Sequence, residues 1–246
     1  MSTPDDADRV EPADRADHTD RADRTDRTDR TDRTDTVVLI HGTCARALTW
    51  EHWMARYTGR GYCVVATGVP TEAGTDDCLA PRDAVTTATI LTYYERLLLT
   101  VPKPPILIGH CFGGEIVQLL LDRGHGAAGV AISSPPAVER RARSFGLAAR
   151  VGRRAEQPGV DYSSTRRAPL LLVGAGIDFS VPPELVEATA LRYQESEAVS
   201  GYLEYPEACH HALRSPGWEQ LADDVLDWAE LYAAPDRLAT ADLWRR

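Results

Sequence analysis

The stretch PPILIGHCFGGEIVQLLLDRG, residues 104–124, joins a short apolar run to a helical pattern through a turn that contains three glycines. The run PILIG is apolar without alternation, which is typical of a strand buried on both faces of a parallel sheet. The pattern after the turn predicts a helix over 114–123. A strand followed directly by a helix is the building unit of a doubly wound α/β domain.

The same alternation continues along the chain. Apolar runs predict strands at 36–40, 62–67, 105–109, 129–133, 169–174 and 202–206. Helical patterns occupy 49–59, 83–100, 114–123, 184–195 and 217–232. We therefore expect a doubly wound α/β domain over 36–246, with a mostly parallel sheet of about six strands and helices on both faces. Catalytic groups in such folds gather outside the carboxyl ends of the strands, here the loops after Ile40, Gly109, Gly174 and Pro206.

Residues 1–35 differ from the rest of the chain in composition. Within 5–35 there are twelve acidic residues and seven arginines, and hardly any side chain that could enter a core. Such a segment cannot offset its ordering entropy, so we expect a disordered tail. The net charge of −10 argues against nucleic acid as a partner. Without a signal-like or membrane-spanning run, and with five scattered cysteines, the sequence favours a cytoplasmic protein that does not enter membranes.

Cys111 stands in the turn between the predicted strand and helix. A side chain on such a sharp turn points into the crevice, and its backbone needs small neighbours, which Gly109 and Gly113 supply. The N-terminus of the following helix places free N–H groups and a positive dipole end beside the sulfur, which favours thiolate. We interpret Cys111 as a nucleophile.

Four motifs give residues 36–232 a resemblance to the α/β-hydrolases. They are LIHGT after the first strand, GHCFGG at the central turn, GAGIDFSVPPE after a later strand and CHHALRSPGW near the end. The second is similar to the family's G-x-S-x-G nucleophile elbow, with Cys in place of Ser. The resemblance implies the chain order nucleophile, acid, histidine, here Cys111, Asp178 and His210.

Two of these assignments have competitors. Asp178 could be a helix N-cap, but the alternative position of the family's acid, Ser133–Ser134, has no carboxylate. His211 competes for the role of base. The spacing to Pro216–Gly217–Trp218, which follows the catalytic histidine in relatives, favours His210.

The resemblance also implies an oxyanion hole formed by the backbone N–H groups of Thr43 and Phe112. His41 and His110 belong to the motifs themselves, and we interpret them as braces of the loops. The resemblance implies no cofactor.

The remaining cysteines have no assigned chemistry. Cys44 and Cys209 flank the predicted site, and small buried side chains, redox control and a zinc site are all open interpretations. No C-x-x-C spacing supports a metal site, so none is predicted. We expect Cys63 in the core of a strand and Cys78 in a loop.

A short insert, 137–168, occupies the place where relatives carry a cap. It holds eight arginines and three acidic residues. As a lid containing Arg140, Arg141 and Arg143, it would attract an anionic substrate or an acidic carrier protein. A solvated amphipathic helix explains the charges equally well, and the segment could also pair with the acidic tail 1–35.

Three functions are compatible with these features. The first is a cofactor-independent hydrolase that cleaves a small-molecule ester, lactone or thioester through a Cys111 acyl-enzyme, as dienelactone-hydrolase-like relatives do. The second is a Dieckmann-type cyclase or lyase that releases a polyketide-like acyl chain to a carbanion, because a thioester is activated toward carbon as well as water. The third is a non-catalytic binding module on the same fold.

Overall fold

The computed structural model of the chain describes residues 34–42, 47–67, 86–140 and 158–233. In this part the strands are β1 (Thr36–Ile40), β2 (Cys63–Ala66), β3 (Ile106–His110), β4 (Ala128–Ile132), β5 (Leu170–Ile177) and β6 (Ser200–Cys209). The α-helices are α1 (Glu51–Gly59), α2 (Thr87–Leu98), α3 (Phe112–Asp122), α4 (Pro183–Tyr193) and α5 (Trp218–Ala233). A short 3₁₀ helix, Ala47–Trp50, leads into α1.

The strands form one sheet in the order β2-β1-β3-β4-β5-β6, and each neighbouring pair is parallel. The predicted doubly wound α/β architecture is therefore confirmed for the described residues. The chain moves outward from β1 to β2 and then returns to the other side of β1 with β3. The carboxyl ends of β1 and β3 therefore flank the point where the strand order reverses, which is where parallel sheets open a crevice.

Helices cover both faces of the sheet. On one face, α1 and α5 complete a buried cluster with the strands, to which Val37, Ile106, Trp53 and Val225 belong. On the other face, α2, α3 and α4 complete a second cluster, to which Val38, Leu91, Ile116 and Val186 belong. The central strands β1, β3 and β4 are buried along their whole length, as their unbroken apolar sequences predicted.

Several predicted boundaries need correction. β5 runs to Ile177 and β6 to Cys209, three residues beyond the predicted ends in both cases. The two strands keep pairing up to Ile177 and Cys209 across an irregularity near Ala175. Pro206 is tolerated within β6 because β6 is an edge strand.

The interpretation of Cys63 as a core residue is wrong. Cys63 begins the edge strand β2, and its side chain is exposed. The helix predicted from 83 begins at Thr87 in the structure, after Thr86 accepts the N–H of Thr89 at 3.2 Å as N-cap. Residues 83–85 and Cys78 lie outside the described residues.

Candidate active site

Cys111 occupies the one-residue turn between β3 and α3. Its backbone has φ 55° and ψ −124°, a region that side chains rarely adopt and that costs about 1–3 kcal/mol. The N–H of Cys111 donates to the carbonyl of Ile132 at 2.9 Å, which holds the turn against β4. A Cβ on Gly109 would lie only 2.2 Å from the carbonyl oxygen of Gly113, so this tight turn requires glycine. The helix begins at Phe112, two residues earlier than predicted.

Gly42, in the loop after β1, lies directly against Cys111. A Cβ on Gly42 would be 3.0 Å from Cys111 Cβ and 3.5 Å from its Sγ. The loops after β1 and β3 therefore meet at the sulfur, at the reversal of strand order described above.

Asp178 follows the end of β5 and is buried. Its Oδ1 accepts the backbone N–H groups of Ser180 and Val181 at 2.8 and 2.9 Å. Burial opposes ionisation of this carboxyl, but these two N–H groups and His210 together hold the pKa of Asp178 below its ordinary value. Asp178 is thus a carboxylate at neutral pH.

The second oxygen of this carboxylate contacts His210. Nδ1 of His210 lies 2.7 Å from Asp178 Oδ2, and the neighbouring His211 is exposed. A carboxylate can only accept, so Nδ1 of His210 carries a hydrogen and Nε2 is the nitrogen left for a proton transfer.

His210 lies beside the elbow. The ring of His110, the residue before Cys111, has its centroid 4.9 Å from that of His210, and its Nε2 lies 2.7 Å from the carbonyl oxygen of His210. The structure thus brings Cys111, His210 and Asp178, which are far apart in the sequence, to one end of the sheet.

A tryptophan also holds the loop that carries His210. The buried Trp53 of α1 donates its Nε1–H to the carbonyl of Leu213 at 3.0 Å. Sequence reasoning did not identify this contact, because a tryptophan in an apolar helix face gives no sign of a partner 160 residues away.

The predicted oxyanion donors are only partly within the described residues. Phe112 is the first residue of α3, where backbone N–H groups have no intrahelical acceptor. Thr43 lies outside the described residues.

Of the two cysteines expected near the site, Cys209 is described and Cys44 is not. Cys209 Sγ lies 3.5 Å from Ser215 Oγ, and this contact, with the backbone near His211, lowers the pKa of the Cys209 thiol. In the part of the chain that the structure describes, no group of three or more His, Cys, Asp or Glu side chains is placed to hold a metal ion.

The insert 137–168 is described at its two ends. Glu139 and Val160 form a parallel bridge, and the N–H of Arg140 donates to the carbonyl of Val160 at 2.7 Å. The guanidinium of Arg140 pairs with Asp122 of α3, whose side chain is 3% exposed. Arg141 and Arg143 lie outside the described residues.

The sequence profile described as "Alpha/beta hydrolase family" matches residues 37–245. The chain belongs to the alpha/beta hydrolase family. In this alpha/beta hydrolase, residues 109–113 have the spacing of G-x-S-x-G, with a thiol where that motif has a hydroxyl.

Solved structures of this fold resemble the hydrolase along most of its length. A monoacylglycerol lipase from Paleococcus ferrophilus matches with a TM-score of 0.58 and 18% identity, covering 80% of this chain and 95% of the lipase. A thermophilic esterase from Thermogutta terrifontis matches with a TM-score of 0.61 and 14% identity, over 80% of this chain and 83% of the esterase. A pyrethroid hydrolase from Sphingobium faniae matches with a TM-score of 0.56 and 17% identity, over 82% and 99%. At these identities the likeness shows the shared fold alone.

Among proteins with curated descriptions, none is significantly similar to this sequence. In the described part of the hydrolase, no helix has both the length and the apolar character needed to cross a membrane.

Proposed function

We propose that this alpha/beta hydrolase is a cofactor-independent enzyme that cleaves an ester, lactone or thioester through an acyl-enzyme on Cys111. The 2.7 Å contact between His210 Nδ1 and buried Asp178, beside a cysteine held at φ 55°, carries the proposal. A cysteine that merely fills space requires neither a strained turn nor an oriented imidazole nearby. The family to which the chain belongs, and the esterase and lipase among its structural neighbours, support ester hydrolysis as the class of reaction.

Acylation begins with transfer of the Cys111 thiol proton to Nε2 of His210. The thiolate attacks the substrate carbonyl carbon, and the carbonyl π pair moves onto oxygen. The backbone N–H of Phe112, at the start of α3, is suited to bind this oxyanion, and Thr43 is the second donor that the family resemblance implies. Asp178 stabilises the imidazolium by accepting its Nδ1–H. Collapse of the intermediate expels the alcohol or thiol, which takes the proton from His210, and leaves a thioester on Cys111.

Deacylation repeats the sequence with water. His210 Nε2 removes a proton from water as the oxygen attacks the thioester carbonyl. The second tetrahedral intermediate expels the Cys111 thiolate, which regains the proton from His210, and the carboxylic acid leaves. These steps use only side chains and backbone groups of the protein and one water molecule, so the scheme needs no cofactor.

Intact-protein mass spectrometry tests the acyl-enzyme. Incubation with a panel of short acyl esters and thioesters should add the mass of the acyl group, and peptide mapping should place it on Cys111. Cys111→Ala should show no adduct and no turnover. Cys209→Ala is the matched control, because it removes a neighbouring thiol with a lowered pKa and should leave the adduct in place.

Product analysis shows whether water or a carbanion accepts the acyl group from Cys111. In ¹⁸O-labelled water, hydrolysis should place one heavy oxygen in the carboxylic acid. A cyclic product without solvent oxygen would show that the enzyme is a cyclase that uses the same cysteine. Adduct formation in Cys111→Ala equal to that of the wild type would contradict the proposal.

A further inference from the structure

His110 ends β3 immediately before Cys111, and its side chain is buried beneath the loop that carries His210. Its Nε2 lies 2.7 Å from the carbonyl oxygen of His210. A carbonyl oxygen can only accept a hydrogen bond, so Nε2 of His110 must carry a hydrogen and donate it. This contact therefore defines the tautomer of His110.

The other ring nitrogen of His110 is buried and has no hydrogen-bond partner among the described residues. Protonation would create a second N–H at Nδ1 without an acceptor, in an environment that already disfavours charge. Burial is the main cause that lowers the pKa of His110 to about 4, and the imidazole charges of His210 and His211 act in the same direction. The hydrogen bond to the His210 carbonyl and the carboxylate of Asp178 act against it. Near neutral pH, His110 is therefore a neutral donor beside a histidine that must gain and lose a proton.

Two contacts fix His210 at two different points. Asp178 holds its ring through Nδ1, and His110 holds its main chain through the carbonyl oxygen. If only Asp178 held His210, rotation of the main chain at His210 would move its imidazole relative to the sulfur of Cys111. Because His110 is bonded directly to Cys111 in the chain, its side chain ties the backbone of the nucleophile to the backbone of the base.

We propose that His110 is a positioning residue that holds the main chain of His210 beside Cys111 and so keeps Nε2 of His210 within reach of the sulfur, an inference that rests on the proposed function. Its hydrogen bond goes to the main chain of the base, and it takes no part in the proton transfer. Its contribution is the alignment of base and nucleophile, which enters kcat because a displacement of about 1 Å between reacting groups can lower the rate about 100-fold.

The test compares two substitutions of similar size. In His110→Gln the side-chain amide nitrogen can occupy the position of Nε2 and keep the donor. In His110→Asn the amide reaches only the position of Nδ1, so the bond to the His210 carbonyl is lost. We expect His110→Asn to lower kcat about 10- to 100-fold with KM nearly unchanged, and His110→Gln to recover most of the loss.

A second measurement follows the sulfur itself and needs no substrate. The rate of alkylation of Cys111 by iodoacetamide, measured from the Cys111 peptide across pH, reports how far the thiolate is paired with His210. His110→Asn should shift this profile toward that of His210→Ala, and His110→Gln should keep the wild-type profile. A loss of packing alone would affect both His110 variants alike.

The wild-type protein supplies a third measurement, which does not depend on how well any variant folds. In ¹⁵N-histidine NMR spectra near pH 7, His110 should show a protonated Nε2 and an unprotonated Nδ1. The opposite tautomer would overturn the proposal.

The results on the variants can overturn the proposal as well. They do so if His110→Asn keeps the wild-type kcat and alkylation profile, if His110→Gln is as impaired as His110→Asn, or if the wild-type alkylation profile equals that of His210→Ala. Absence of an acyl adduct and of turnover in the wild type counts instead against the proposed function, while the NMR and alkylation results still decide the role of His110.

Discussion

Gly42 and Cys111 lie so close that a Cβ on the glycine would be 3.0 Å from the Cβ of the cysteine and 3.5 Å from its sulfur. The loop after β1 thus forms one wall of the space around the sulfur, and only a residue without a side chain leaves that space open. The backbone of Gly42 is outside the left-handed region, so alanine is restricted there by its neighbours rather than by its own conformation.

Gly42→Ala should therefore lower kcat about 10- to 100-fold, because the added methyl displaces Cys111 or the bound carbonyl. Steady-state kinetics on any ester that the wild type cleaves measures the change. Gly59→Ala is the matched control, since a Cβ there meets no atom within 4 Å at the end of α1. It should keep full activity and raise the free energy of unfolding by about 0.4–1 kcal/mol. Equal activities of the two alanine variants would show that the close approach of Gly42 to Cys111 does not matter for catalysis.

The strained backbone of Cys111 predicts an unusual order of stability. At φ 55° and ψ −124° glycine is favoured over any residue with a Cβ, so Cys111→Gly should be more stable than Cys111→Ala by about 1 kcal/mol. Ala188→Gly, on the exposed face of α4, should show the opposite sign and destabilise by about 1 kcal/mol. Urea denaturation of the four proteins, wild type included, measures these differences. A Cys111→Gly variant less stable than Cys111→Ala would refute the strain.

Asp178→Asn tests the orientation of His210. The amide can donate a hydrogen bond to His210, which favours the tautomer with the hydrogen on Nε2 and removes the base that Cys111 needs. We expect kcat to fall about 10³- to 10⁴-fold, with the fold retained. Asp224→Asn, which alters a carboxylate that accepts the hydroxyl of Tyr205 instead of a histidine ring, serves as the control and should keep its activity. A loss smaller than about tenfold in Asp178→Asn would exclude the role assigned to this carboxylate.

The buried, neutral His110 predicts how stability depends on pH. In the unfolded chain a histidine binds a proton near pH 6.5, whereas in the folded protein burial lowers the pKa of His110 to about 4. Between these values the unfolded state binds more protons, so stability is fully present above about pH 6.5 and decreases as the pH falls toward 4, by up to about 3 kcal/mol. Urea unfolding at several pH values measures this slope. In His110→Gln it should be shallower, and identical slopes would contradict the depressed pKa.

The basic insert predicts that salt weakens the association of the enzyme with an anionic substrate. Arg140 already pairs with Asp122, so the groups to reverse are Arg141 and Arg143. If their charge attracts an anionic substrate or an acidic carrier protein, replacing both with Glu should lower kcat/KM but leave kcat unchanged. Added salt should lower kcat/KM of the wild type toward that of the variant, because exposed charges are screened beyond about 8–10 Å. A neutral ester is the control. An equal salt response for both substrates would show that Arg141 and Arg143 do not attract the substrate.

The sequence was most informative where the structure depends on residues that are close together along the chain. The unbroken apolar runs of β1, β3 and β4 and the glycine-flanked Cys111 are local patterns, and each predicted its element to within two residues. The extensions of β5 and β6 were missed because they depend on pairing between two strands about thirty residues apart in the sequence, such as Ile177 with Cys209.

Contacts between distant side chains lay beyond sequence reasoning. Nothing in the pattern around Trp53 indicates that its indole binds the loop of His210, and nothing around Arg140 indicates Asp122 as its partner. The exposure of Cys63 was missed for a related reason. An apolar run predicts a strand, but only the order of the strands shows that β2 is at the edge.

The bridge between Glu139 and Val160 brings the two described ends of the insert together. Arg140 donates its N–H to Val160, so these two positions are fixed relative to each other by their own hydrogen bond. The register of the sheet therefore does not depend on how many residues lie between Arg140 and Val160. A protein engineer could change that number and leave the strand ends next to Cys111, Asp178 and His210 where they are.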